Sequence, residues 1–455
     1  MNNQYHFVGI GGIGMSGIAQ LMLRSGIEVS GSDLKESRAT AELRQLGAKI
    51  YIGHAAENIN GAKLVVYSSA VKEDNPEIAE ARKRGIALMR RAEALAVLMQ
   101  DKTVITVAGS HGKTTTTSLV SYLLIKARLS PTVAIGGILK NIDNNACLGR
   151  GRYFVAEADE SDGSFLNYNP VYSIVTNIDH EHLDYYVNFD NEISAFRDFI
   201  NKTDKEGCLF ACFDDENLEK IMNDYKGRKV SFGLNPSADI HARDIKLYGL
   251  NSEFNCIYKG KDLGRFILSL GGRHNISNAL SVIALGLELG ESLSFIKKTL
   301  EHYKGAGRRL EVKFNSKGVM VIDDYAHHPT EIQATLSAAK NLKHKRLICA
   351  FQPHRYTRTK LLLDEFAPSF NDADYIIITD IYPASELPIA GIEGETLYDK
   401  IKDCYADKEV VFLPKEKIKD YVLGELRDGD IFLTLGAGDI VKVNDELVEE
   451  LKRKS

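Results

Sequence analysis

A glycine-rich loop directly behind an apolar strand is the feature that most constrains the fold of this chain. The run TVITVA at 103–108 is rich in β-branched residues and leads without a break into GSHGKTT at 109–115. In such a strand–loop–helix unit the backbone N–H groups surround phosphate oxygens, the lysine reaches the terminal phosphates and the next hydroxyl ligates Mg²⁺. The segment therefore predicts an ATP site on a parallel α/β sheet, with contacts from Gly109, Ser110, His111, Gly112, Lys113, Thr114 and Thr115.

One position of this loop departs from the pattern G-x-x-x-x-G-K-[ST]. Val107 stands where the first glycine is expected, and the flexible glycine is Gly109 instead. The alternative is an ordinary helix N-terminus that happens to contain Gly-Lys-Thr. The apolar strand in front of the loop favours phosphate binding.

A second glycine-rich turn, FVGIGGIGMSG, lies at 7–17 behind a short apolar run. Gly9, Gly11 and Gly14 fit the fingerprint G-x-G-x-x-G, and Asp33 follows at about the 20-residue interval of an acid that binds a ribose. Alone, this pattern is typical of a nicotinamide-dependent dehydrogenase. Because ATP already has a predicted site and no residue set indicates hydride transfer, the dehydrogenase is only an alternative, as is a non-catalytic nucleotide-binding regulator.

Strand patterns alternate with helix patterns along almost the whole chain, which is typical of the α/β class. Antiparallel strands are expected only over 228–270. The consecutive small residues Gly305-Ala306-Gly307 are the expected hinge before the last domain. The pattern restarts twice and so predicts three domains. These are an N-terminal Rossmann-like domain over 1–98, a central P-loop domain with added antiparallel strands over 99–306, and a C-terminal Rossmann-like domain over 307–455.

Composition excludes several functional classes. Hydrophobic residues make up 44% and charged residues 26% of the chain, as in soluble globular proteins. The net charge of −5 gives no electrostatic reason to expect nucleic acid or a membrane surface as a partner. The sequence has no basic-then-apolar leader, no apolar stretch near the ~20 residues of a membrane span, and six scattered cysteines without metal-ligand spacing. We therefore expect a cytoplasmic protein whose cysteines are reduced and mostly buried.

The chain resembles the Mur ligase family of peptidoglycan-building enzymes over essentially its whole length. The phosphate loop has the family's form G-x-H-G-K-T-T-T, and several other motifs occur in the family's order. Any one of them is weak by itself, whereas the ordered series is specific. The motifs are FVGIGGIGMSG at 7–17, GSHGKTT at 109–115, EADESD at 157–162, TNIDHEHLD at 176–184, GRHNISNA at 272–279, DDYAHHPTE at 323–331 and QPHRYTR at 352–358.

The resemblance implies an ATP-dependent ligase that joins L-alanine to the lactyl carboxylate of UDP-N-acetylmuramate through an acyl phosphate, in peptidoglycan precursor synthesis. It implies ATP and Mg²⁺ as cofactors, small-molecule substrates only, and a monomer or homodimer. The alternative is a sibling ligase that adds a recycled tripeptide to the same nucleotide sugar, because such an enzyme shares the phosphate loop and differs mainly around the amine.

Metal and phosphate chemistry is expected from the central domain. Glu157 at the end of one predicted strand and His182 after the next are placed to converge on the loop. The predicted metal-linked residues are therefore Thr114, Glu157 and His182, and the predicted catalytic residues of this domain are Lys113, Glu157 and His182. The alternatives are a solvated acidic turn around Glu157 and an ordinary histidine at His182, since His180 lies two residues away.

Further ATP contacts follow from the resemblance. The element at 272–279 holds adenine in the family, which suggests His274, Asn275 and Asn278, although Asn275 also suits a helix cap. Arg308, rather than Arg309, is the predicted phosphate-facing guanidinium after the glycine hinge, while a solvated basic pair is the alternative.

The two remaining substrates are assigned to the outer domains. The family binds UDP in the first domain, which suggests contacts from Gly9, Gly11, Gly12, Ile13, Gly14, Ser32, Asp33, His54 and Ser69. In the third domain, two strand ends bring together residues that could bind the amino-acid substrate. Arg355 or Arg358 would bind its carboxylate, and Asp324 or a histidine would accept a hydrogen bond from its amine. The predicted set there is Asp324 and His354 as catalytic residues and Tyr325, His327, His354, Arg355 and Arg358 as binding residues. A metal site built from these histidines is the competing possibility.

Overall fold

A computed structural model of the protein describes residues 4–68, 71–384 and 386–453. Its strands form three sheets, as the α/β pattern predicts. The chain divides into two compact units. One comprises the chain through Arg243 together with Cys256–Gly264 and Ser277–Lys304, and the other comprises Asp244–Asn255, Arg265–Ile276 and the chain from Gly305 onward.

The first sheet is parallel and follows the glycine-rich turn. Its strands are β1 Gln4–Val8, β2 Glu28–Asp33, β3 Lys49–Ile52, β4 Leu64–Tyr67 and β5 Ala87–Arg90, in the order β3-β2-β1-β4-β5. Its helices are α1 Ile13–Arg24, α2 Arg38–Gln45, α3 Pro76–Arg84 and α4 Arg91–Leu98, with a 3-10 turn at Ala56–Ile59. The apolar runs near 5–9, 27–31 and 63–68 predict three of these strands, and the structure confirms them as β1, β2 and β4. Two four-residue strands, KIYI and ALMR, were not predicted, because so short a run does not show a clear period.

The second sheet carries the phosphate loop. Its strands are β6 Thr103–Ala108, β7 Thr132–Leu139, β8 Asn144–Cys147, β9 Tyr153–Glu157, β10 Tyr172–Val175, β11 Cys208–Cys212, β12 Lys229–Gly233, β13 Ile240–Tyr248, β14 Asn251–Tyr258 and β15 Lys261–Leu268. Their order is β15-β14-β13-β12-β11-β10-β6-β9-β7-β8, so β6 lies between two parallel neighbours. The helices are α5 Lys113–Lys126, α6 Leu183–Tyr186, α7 Phe189–Asn201, α8 Glu216–Asp224, α9 Arg273–Glu288 and α10 Leu293–Glu301, with a 3-10 turn at Ser164–Asn167.

The antiparallel segment expected over 228–270 begins later than predicted. Strand β12 pairs in parallel with β11 on one side and with β13 on the other. Beyond that point β13, β14 and β15 follow one another across two-residue connections, which only antiparallel neighbours allow. The period-2 pattern is the same for both kinds of pairing, so the sequence does not reveal where one replaces the other.

The third sheet comprises β16 Glu311–Ser316, β17 Val319–Asp324, β18 Arg346–Phe351, β19 Tyr375–Ile378, β20 Glu409–Phe412 and β21 Asp430–Leu435. The order is β16-β17-β21-β18-β19-β20, and only the pair of β16 with β17 is antiparallel among its described pairs. Apolar clusters cover both faces of this sheet, as parallel strands require. The helices are α11 Pro329–Lys340, α12 Tyr356–Leu361, α13 Leu363–Phe366, α14 Gly394–Cys404, α15 Lys415–Glu425 and α16 Val441–Arg453, with a 3-10 turn at Ala367–Phe370.

Two further expectations concern the whole chain. The six cysteines are free thiols; four are buried, but Cys404 is exposed and Cys147 is half-buried. Within the described part of the chain, no helix combines the length and the apolar character that crossing a bilayer needs.

Candidate functional site

The phosphate loop is the turn from β6 into α5. Gly112 is the N-cap of α5 with a φ of 82°, and Gly109 has a φ of 131°, both in the region that favours glycine. A Cβ atom on Gly109 would collide with the Thr176 hydroxyl and lie 3.0 Å from the Asn177 carbonyl oxygen. Helix α5 has no side-chain cap and no acid in its first turn, so its N-terminus is suited to an anion. The predicted strand–loop–helix unit is therefore confirmed.

Lys113 folds back over this loop. Its Nζ donates to the Gly109 carbonyl at 2.5 Å, the Ser110 carbonyl at 2.9 Å and Glu160 Oε1 at 2.8 Å. Burial by itself lowers the pKa of Lys113, but the charges of Glu160 and Asp159 outweigh it and raise the pKa to about 12. The ammonium is therefore charged at neutral pH, and a phosphate oxygen would replace one of its three present acceptors.

Thr114 and Glu157 bring oxygen atoms together beside the loop. The Thr114 hydroxyl lies 3.1 Å from both carboxylate oxygens of Glu157, and the Gly136 N–H donates to Oε2 at 2.9 Å. A Cβ atom on Gly136 would lie 2.8 Å from that oxygen, so this approach needs glycine. Hydroxyl and carboxylate oxygens are ligands that Mg²⁺ prefers, and this pair therefore fits the predicted metal.

His182, the third predicted metal ligand, lies between two carboxylates. Its Nε2 is 3.2 Å from Glu181 Oε2 and 3.4 Å from Glu160 Oε1. Burial lowers the pKa of His182, but hydrogen bonds to Glu160 and Glu181 outweigh it and raise the pKa to about 10. His182 and Lys113 thus share the buried carboxylate of Glu160. In this arrangement the imidazole is protonated, and it would ligate a metal only after losing that proton.

A segment at the end of β10 braces the loop. The His111 N–H donates to Asn177 Oδ1 at 2.8 Å, and Asn177 Nδ2 donates to the His111 carbonyl at 3.1 Å. The His111 ring lies 2.8 Å from Asp179 Oδ2, and the Asp179 N–H donates to Ser110 Oγ at 2.8 Å. Neither Asn177 nor Asp179 was predicted as a site residue. The available signal was a pair of Asx residues directly after a buried strand.

The predicted adenine contacts begin helix α9. The Asn278 amide adjoins the loop, because a Cβ atom on Gly112 would lie 2.9 Å from Asn278 Oδ1. Asn275 donates from Nδ2 to the Gly271 carbonyl at 2.7 Å, and His274 is exposed. This bond is not the helix cap considered from the sequence, because a capping side chain accepts from a backbone N–H. Asn278 thus adjoins the phosphate loop, and the adenine role of all three residues stays a prediction.

In the first sheet, the glycine turn is tied to the end of β2. The N–H groups of Gly9 and Ile10 both donate to the Ser32 carbonyl at 2.9 Å. Asp33, predicted to bind the nucleotide, accepts from the Gly11 N–H through Oδ2 at 2.8 Å. The acid therefore holds the turn in shape, in addition to any contact with a ribose.

The other predicted nucleotide contacts surround this turn. Gly12 is the N-cap of α1 and the helix has no side-chain cap, so Ile13 and Gly14 present backbone N–H groups in an uncapped first turn. Ser32 Oγ lies 3.0 Å from His54 Nδ1. Ser69 lies outside the described residues.

A buried carboxylate, Glu77, lies beneath Ser32 and was not predicted. Its Oε2 accepts from Ser32 Oγ at 2.6 Å and lies 3.4 Å from His6 Nε2, while Oε1 accepts from Asn58 Nδ2 at 2.6 Å. Burial raises the pKa of Glu77, but the hydrogen bonds from His6, Ser32 and Asn58 outweigh it and lower the pKa to about 2. A glutamate in the first turn of a helix is ordinarily exposed, so the sequence carried no sign of this role.

Glu77 makes the stability of the protein sensitive to acid. Because folding lowers its pKa from 4.5 to about 2, its contribution is complete above pH 4.5 and is lost as the pH falls toward 2. We expect Glu77→Gln to lower the free energy of unfolding by about 2 kcal/mol at pH 7 and by little near pH 2. Urea unfolding from pH 2 to 7 measures this, with exposed Glu57→Gln as the matched control. Wild-type and Glu77→Gln curves that differ by a constant amount would contradict it.

Arg91 connects the glycine turn with the phosphate-loop region and was also missed. Its NH2 pairs with Asp159 Oδ2 at 2.8 Å, and a Cβ atom on Gly14 would lie 3.2 Å from its Cδ and NH1 atoms. Asp159 belongs to the acidic segment that contains Glu157 and Glu160. Arg91 is the first residue of helix α4, where a positive charge is unfavourable for the helix dipole. This unfavourable position was the sequence signal that the side chain pairs with an acid outside its own helix.

In the third sheet, Asp324 ends β17 and is buried. Its Oδ2 accepts from the Leu310 N–H at 2.6 Å and its Oδ1 from the Ala326 N–H at 2.8 Å. Burial raises the pKa of Asp324 to about 6, although the charge of Arg309 opposes the rise. A carboxylate with such a pKa exchanges a proton near neutral pH, which suits the predicted role toward an amine.

Four rings continue along this edge of the sheet. Tyr325 and His327 have centroids 5.5 Å apart, His327 and His354 5.7 Å, and His354 stacks on Tyr382 at 5.6 Å and 12°. Arg358 NH1 lies 3.2 Å from His354 Nδ1. The predicted convergence of the two strand ends is therefore confirmed, whereas Tyr382, from the loop after β19, was not foreseen.

Arg355 is placed by its backbone. It is the N-cap of α12 with a φ of 70°, and its N–H donates to the Tyr382 carbonyl at 2.8 Å. A non-glycine residue in this conformation is strained, and such strain is concentrated at functional sites.

Arg308 makes several contacts within its own unit. Its Nε donates to Asp323 Oδ2 at 2.8 Å, its NH2 donates to the Gly436 carbonyl at 2.6 Å, and its guanidinium lies 5.1 Å from the centre of the Tyr325 ring. These contacts give Arg308 a structural task. Its predicted role toward phosphate stays a prediction.

Comparisons with known proteins cover the same regions. Family models match residues 4–103 (Mur ligase family, catalytic domain), 107–286 (Mur ligase middle domain) and 308–438 (Mur ligase, glutamate ligase domain). The chain is 48% identical over 448 residues to UDP-N-acetylmuramate--L-alanine ligase from Geotalea daltonii, covering 98% of each protein.

Two crystal structures are similar over nearly the whole length. A UDP-N-acetylmuramate-alanine ligase from Thermotoga maritima has a TM-score of 0.86 and 32% identity, covering 99% of this chain and 100% of that one. A murein peptide ligase from Psychrobacter arcticus has a TM-score of 0.73 and 25% identity, covering 98% of each chain. With its phosphate loop, its three sheets and these full-length similarities, the chain belongs to the Mur ligase family.

Proposed function

We propose that this protein is the ATP-dependent ligase that joins L-alanine to the lactyl carboxylate of UDP-N-acetylmuramate, releasing ADP and phosphate, in peptidoglycan precursor synthesis. The observation that carries the proposal is the 48% identity with a curated ligase of that name over 98% of both chains. The charged Lys113 over a helix N-terminus and the Thr114–Glu157 oxygen pair beside it support ATP chemistry at this place.

A carboxylate is a poor electrophile, so the reaction begins with its activation. A carboxylate oxygen attacks the γ-phosphorus of ATP and the bond to the bridging oxygen breaks, giving an acyl phosphate and ADP. Lys113 neutralises charge on the transferring group, and the backbone of residues 109–112 orients it. Thr114 and Glu157 would hold Mg²⁺, with His182 as the further candidate; the ion supplies neutralisation of phosphate charge.

The amine of L-alanine then attacks the acyl carbon, the C–O bond to phosphate breaks and an amide forms. The amine must lose a proton, and we assign its acceptance to Asp324, whose pKa of about 6 suits the task. Most of the acceleration comes from positioning, for which effective molarities of about 10⁵ M or more are available.

Each of the three sheets is assigned one substrate. The nucleotide sugar binds at the glycine turn, ATP at the phosphate loop and the amino acid at the third sheet, with domain boundaries at 98/99 and 306/307. Helix α4 ends at Leu98 before β6 opens the second sheet, and α10 ends at Glu301 before β16 opens the third sheet, which supports these boundaries. The enzyme acts in the cytoplasm as a monomer or homodimer.

A substrate panel tests this function against the tripeptide-adding alternative. Phosphate release is measured with UDP-N-acetylmuramate, ATP and L-alanine, L-serine, glycine or the tripeptide, with and without Mg²⁺. We expect the highest kcat/KM with L-alanine and no turnover without Mg²⁺. Activity with the tripeptide alone would show that the alternative is correct.

Arg355 is expected to recognise the carboxylate of the amino acid. Arg355→Ala should raise the KM for L-alanine about tenfold or more and change the KM for ATP less than about twofold, because only one substrate loses its ionic partner. Initial-rate kinetics measure both constants, with the exposed Lys360→Ala on the same helix as the matched control. Equal increases in both KM values would contradict the assignment.

A further inference from the structure

A bulged hairpin in the second sheet, formed by β7 and β8, has contacts with both glycine-rich turns. The two strands pair in antiparallel fashion, with Ala134 opposite Ala146 and Leu139 opposite Asn144. Between these two pairs β7 has four residues, whereas β8 has only Asn145. Bulges of this kind redirect side chains and backbone groups beside functional sites. Asn145 therefore stands alone opposite the part of β7 that bulges out of the sheet.

The bulged part of β7 contacts the predicted metal ligands. The Gly136 N–H donates to Glu157 Oε2 at 2.9 Å, and a Cβ atom on Gly137 would lie 2.9 Å from Thr114 Cγ2. Both glycines thus allow the backbone to approach Thr114 and Glu157 closely. A displacement of this hairpin would consequently displace the oxygen atoms that are predicted to hold Mg²⁺.

The opposite strand of the hairpin holds the helix that begins at the first glycine-rich turn. Helix α1 packs against both β7 and β8. Asn145 is buried, and its Nδ2 donates to the Ile13 carbonyl at 2.7 Å, although the two residues lie 132 positions apart. A Cβ atom on Gly17 would lie 3.1 Å from the same nitrogen. Because Ser16 Oγ also donates to this carbonyl, at 3.1 Å, the bond from Asn145 is an additional connection to another sheet.

The peptide unit that Asn145 contacts belongs to the predicted nucleotide-sugar site. The Ile13 carbonyl and the Gly14 N–H are parts of one trans peptide and point in opposite directions along the helix. Holding the carbonyl from behind therefore directs the Gly14 N–H out of the uncapped first turn, where a phosphate oxygen would bind. One hairpin thus contacts the elements that hold two substrates.

We propose that Asn145 is a positioning residue for phosphoryl transfer, because it connects helix α1, at whose N-terminus the nucleotide sugar binds, to the hairpin that contacts Glu157. The lactyl carboxylate is covalently attached to the UDP group. The separation between α1 and the metal site therefore decides whether a carboxylate oxygen meets the γ-phosphorus of ATP. A displacement of about 1 Å is enough to lower such a rate about 100-fold. The inference rests on the proposed function, which places the nucleotide sugar at the first sheet.

Two variants break this connection in different ways. Asn145→Leu keeps the size of the side chain and removes the donor, whereas Gly17→Ala adds a methyl group that displaces the amide from the Ile13 carbonyl. We expect both to lower kcat at least about tenfold and to change the dissociation constants of UDP-N-acetylmuramate and ATP less than about threefold, because both turns keep their backbone donors. A role in stability alone predicts no such loss for Gly17→Ala, since alanine is the better helix former.

The matched control is Asp143→Asn in the same hairpin. Asp143 is exposed and also reaches the first sheet's helices, through a 3.4 Å pair with Arg38. Exposed ion pairs contribute little, so this variant should keep the kcat of the wild type. Steady-state kinetics of the full chain and calorimetric titration of each substrate measure these constants. Gly17→Ala serves if Asn145→Leu does not fold.

A distance measurement adds a readout that stability does not move. Mn²⁺ bound with a non-hydrolysable ATP analogue relaxes the ³¹P nuclei of UDP-N-acetylmuramate on the same molecule, and this effect depends on the sixth power of the distance. We expect equal relaxation rates in the wild type and Asp143→Asn. In Asn145→Leu and Gly17→Ala the rate should differ about twofold or more, since a displacement of about 1 Å is expected.

Three results are decisive against these assignments. The kcat of the wild type in folded Asn145→Leu or Gly17→Ala would overturn the proposal. A lowered kcat with an unchanged ³¹P relaxation rate would also overturn it, because the two sites would have kept their separation. A wild type that neither binds UDP-N-acetylmuramate nor forms product would instead overturn the proposed function, and the wild-type assay distinguishes this case from the other two.

Discussion

Replacing Lys113 by alanine is expected to lower ATP-dependent phosphate release at least about 1000-fold, because the enzyme loses the cation that lies over its phosphate loop. The pKa of about 12 means that this charge is fully present at neutral pH. Its three hydrogen bonds, to two loop carbonyls and Glu160, also hold the side chain within reach of the helix N-terminus. No uncharged residue reproduces both effects.

The fold is expected to survive this change. Glu160 keeps its ion pair with His182, so the buried carboxylate does not lose its only cation. The measurement combines a phosphate-release assay with circular dichroism and binding of UDP-N-acetylmuramate, which uses the first sheet in the proposed function. Lys126→Ala, an exposed change on the same helix, is the matched control. Unchanged phosphate release in Lys113→Ala would show that ATP is used elsewhere.

Glu157→Gln is expected to have the second largest effect, an about 100-fold or greater loss of kcat/KM with a tenfold or greater rise in the Mg²⁺ concentration needed for half-maximal rate. The amide has nearly the shape of the carboxylate, and its oxygen still accepts from the Gly136 N–H. What disappears is the negative charge opposite the Thr114 hydroxyl. The loss is therefore attributed to the metal rather than to packing.

A binding measurement keeps this prediction independent of turnover. Mn²⁺ binding followed by electron paramagnetic resonance, in the presence of a non-hydrolysable ATP analogue, should weaken in Glu157→Gln and stay unchanged in the exposed control Glu206→Gln. A variant with the Mg²⁺ dependence and Mn²⁺ affinity of the wild type would remove Glu157 from the metal site.

Much of the fold was predictable because its signals are local. The β-branched run of β6 and the glycines after it specify a strand, a turn and a helix within 13 residues of one another, and no distant contact overrides them. The glycine-rich turn at 7–17 was predicted from local sequence in the same way. The ligand assigned to it, a nucleotide sugar rather than a nicotinamide cofactor, followed only from the other motifs of the chain. Local patterns did not predict β3 and β5, which are only four residues long. They also did not predict that β12 pairs in parallel, because the direction of pairing depends on the neighbouring strand.

The candidate site divides in the same way. Lys113 and Thr114 belong to one contiguous motif, so their neighbourhood was certain in advance. Arg91 and Asp159, by contrast, lie 68 positions apart, and Ser32 and Glu77 lie 45 apart. No spacing rule links such residues. Ser32 and Glu77 meet because β2 ends and α3 begins at the same edge of the first parallel sheet, whereas Arg91 and Asp159 follow strands of two different sheets.

The class of the protein, the order of its glycine-rich turns and the side chains at the ends of the strands follow from short-range patterns and could be read from the amino-acid sequence. The electrostatic state of those side chains could not, because it depends on the three-dimensional packing. The pKa of Lys113, of Asp324 and of Glu77 depends on burial and on charges brought from elsewhere in the chain.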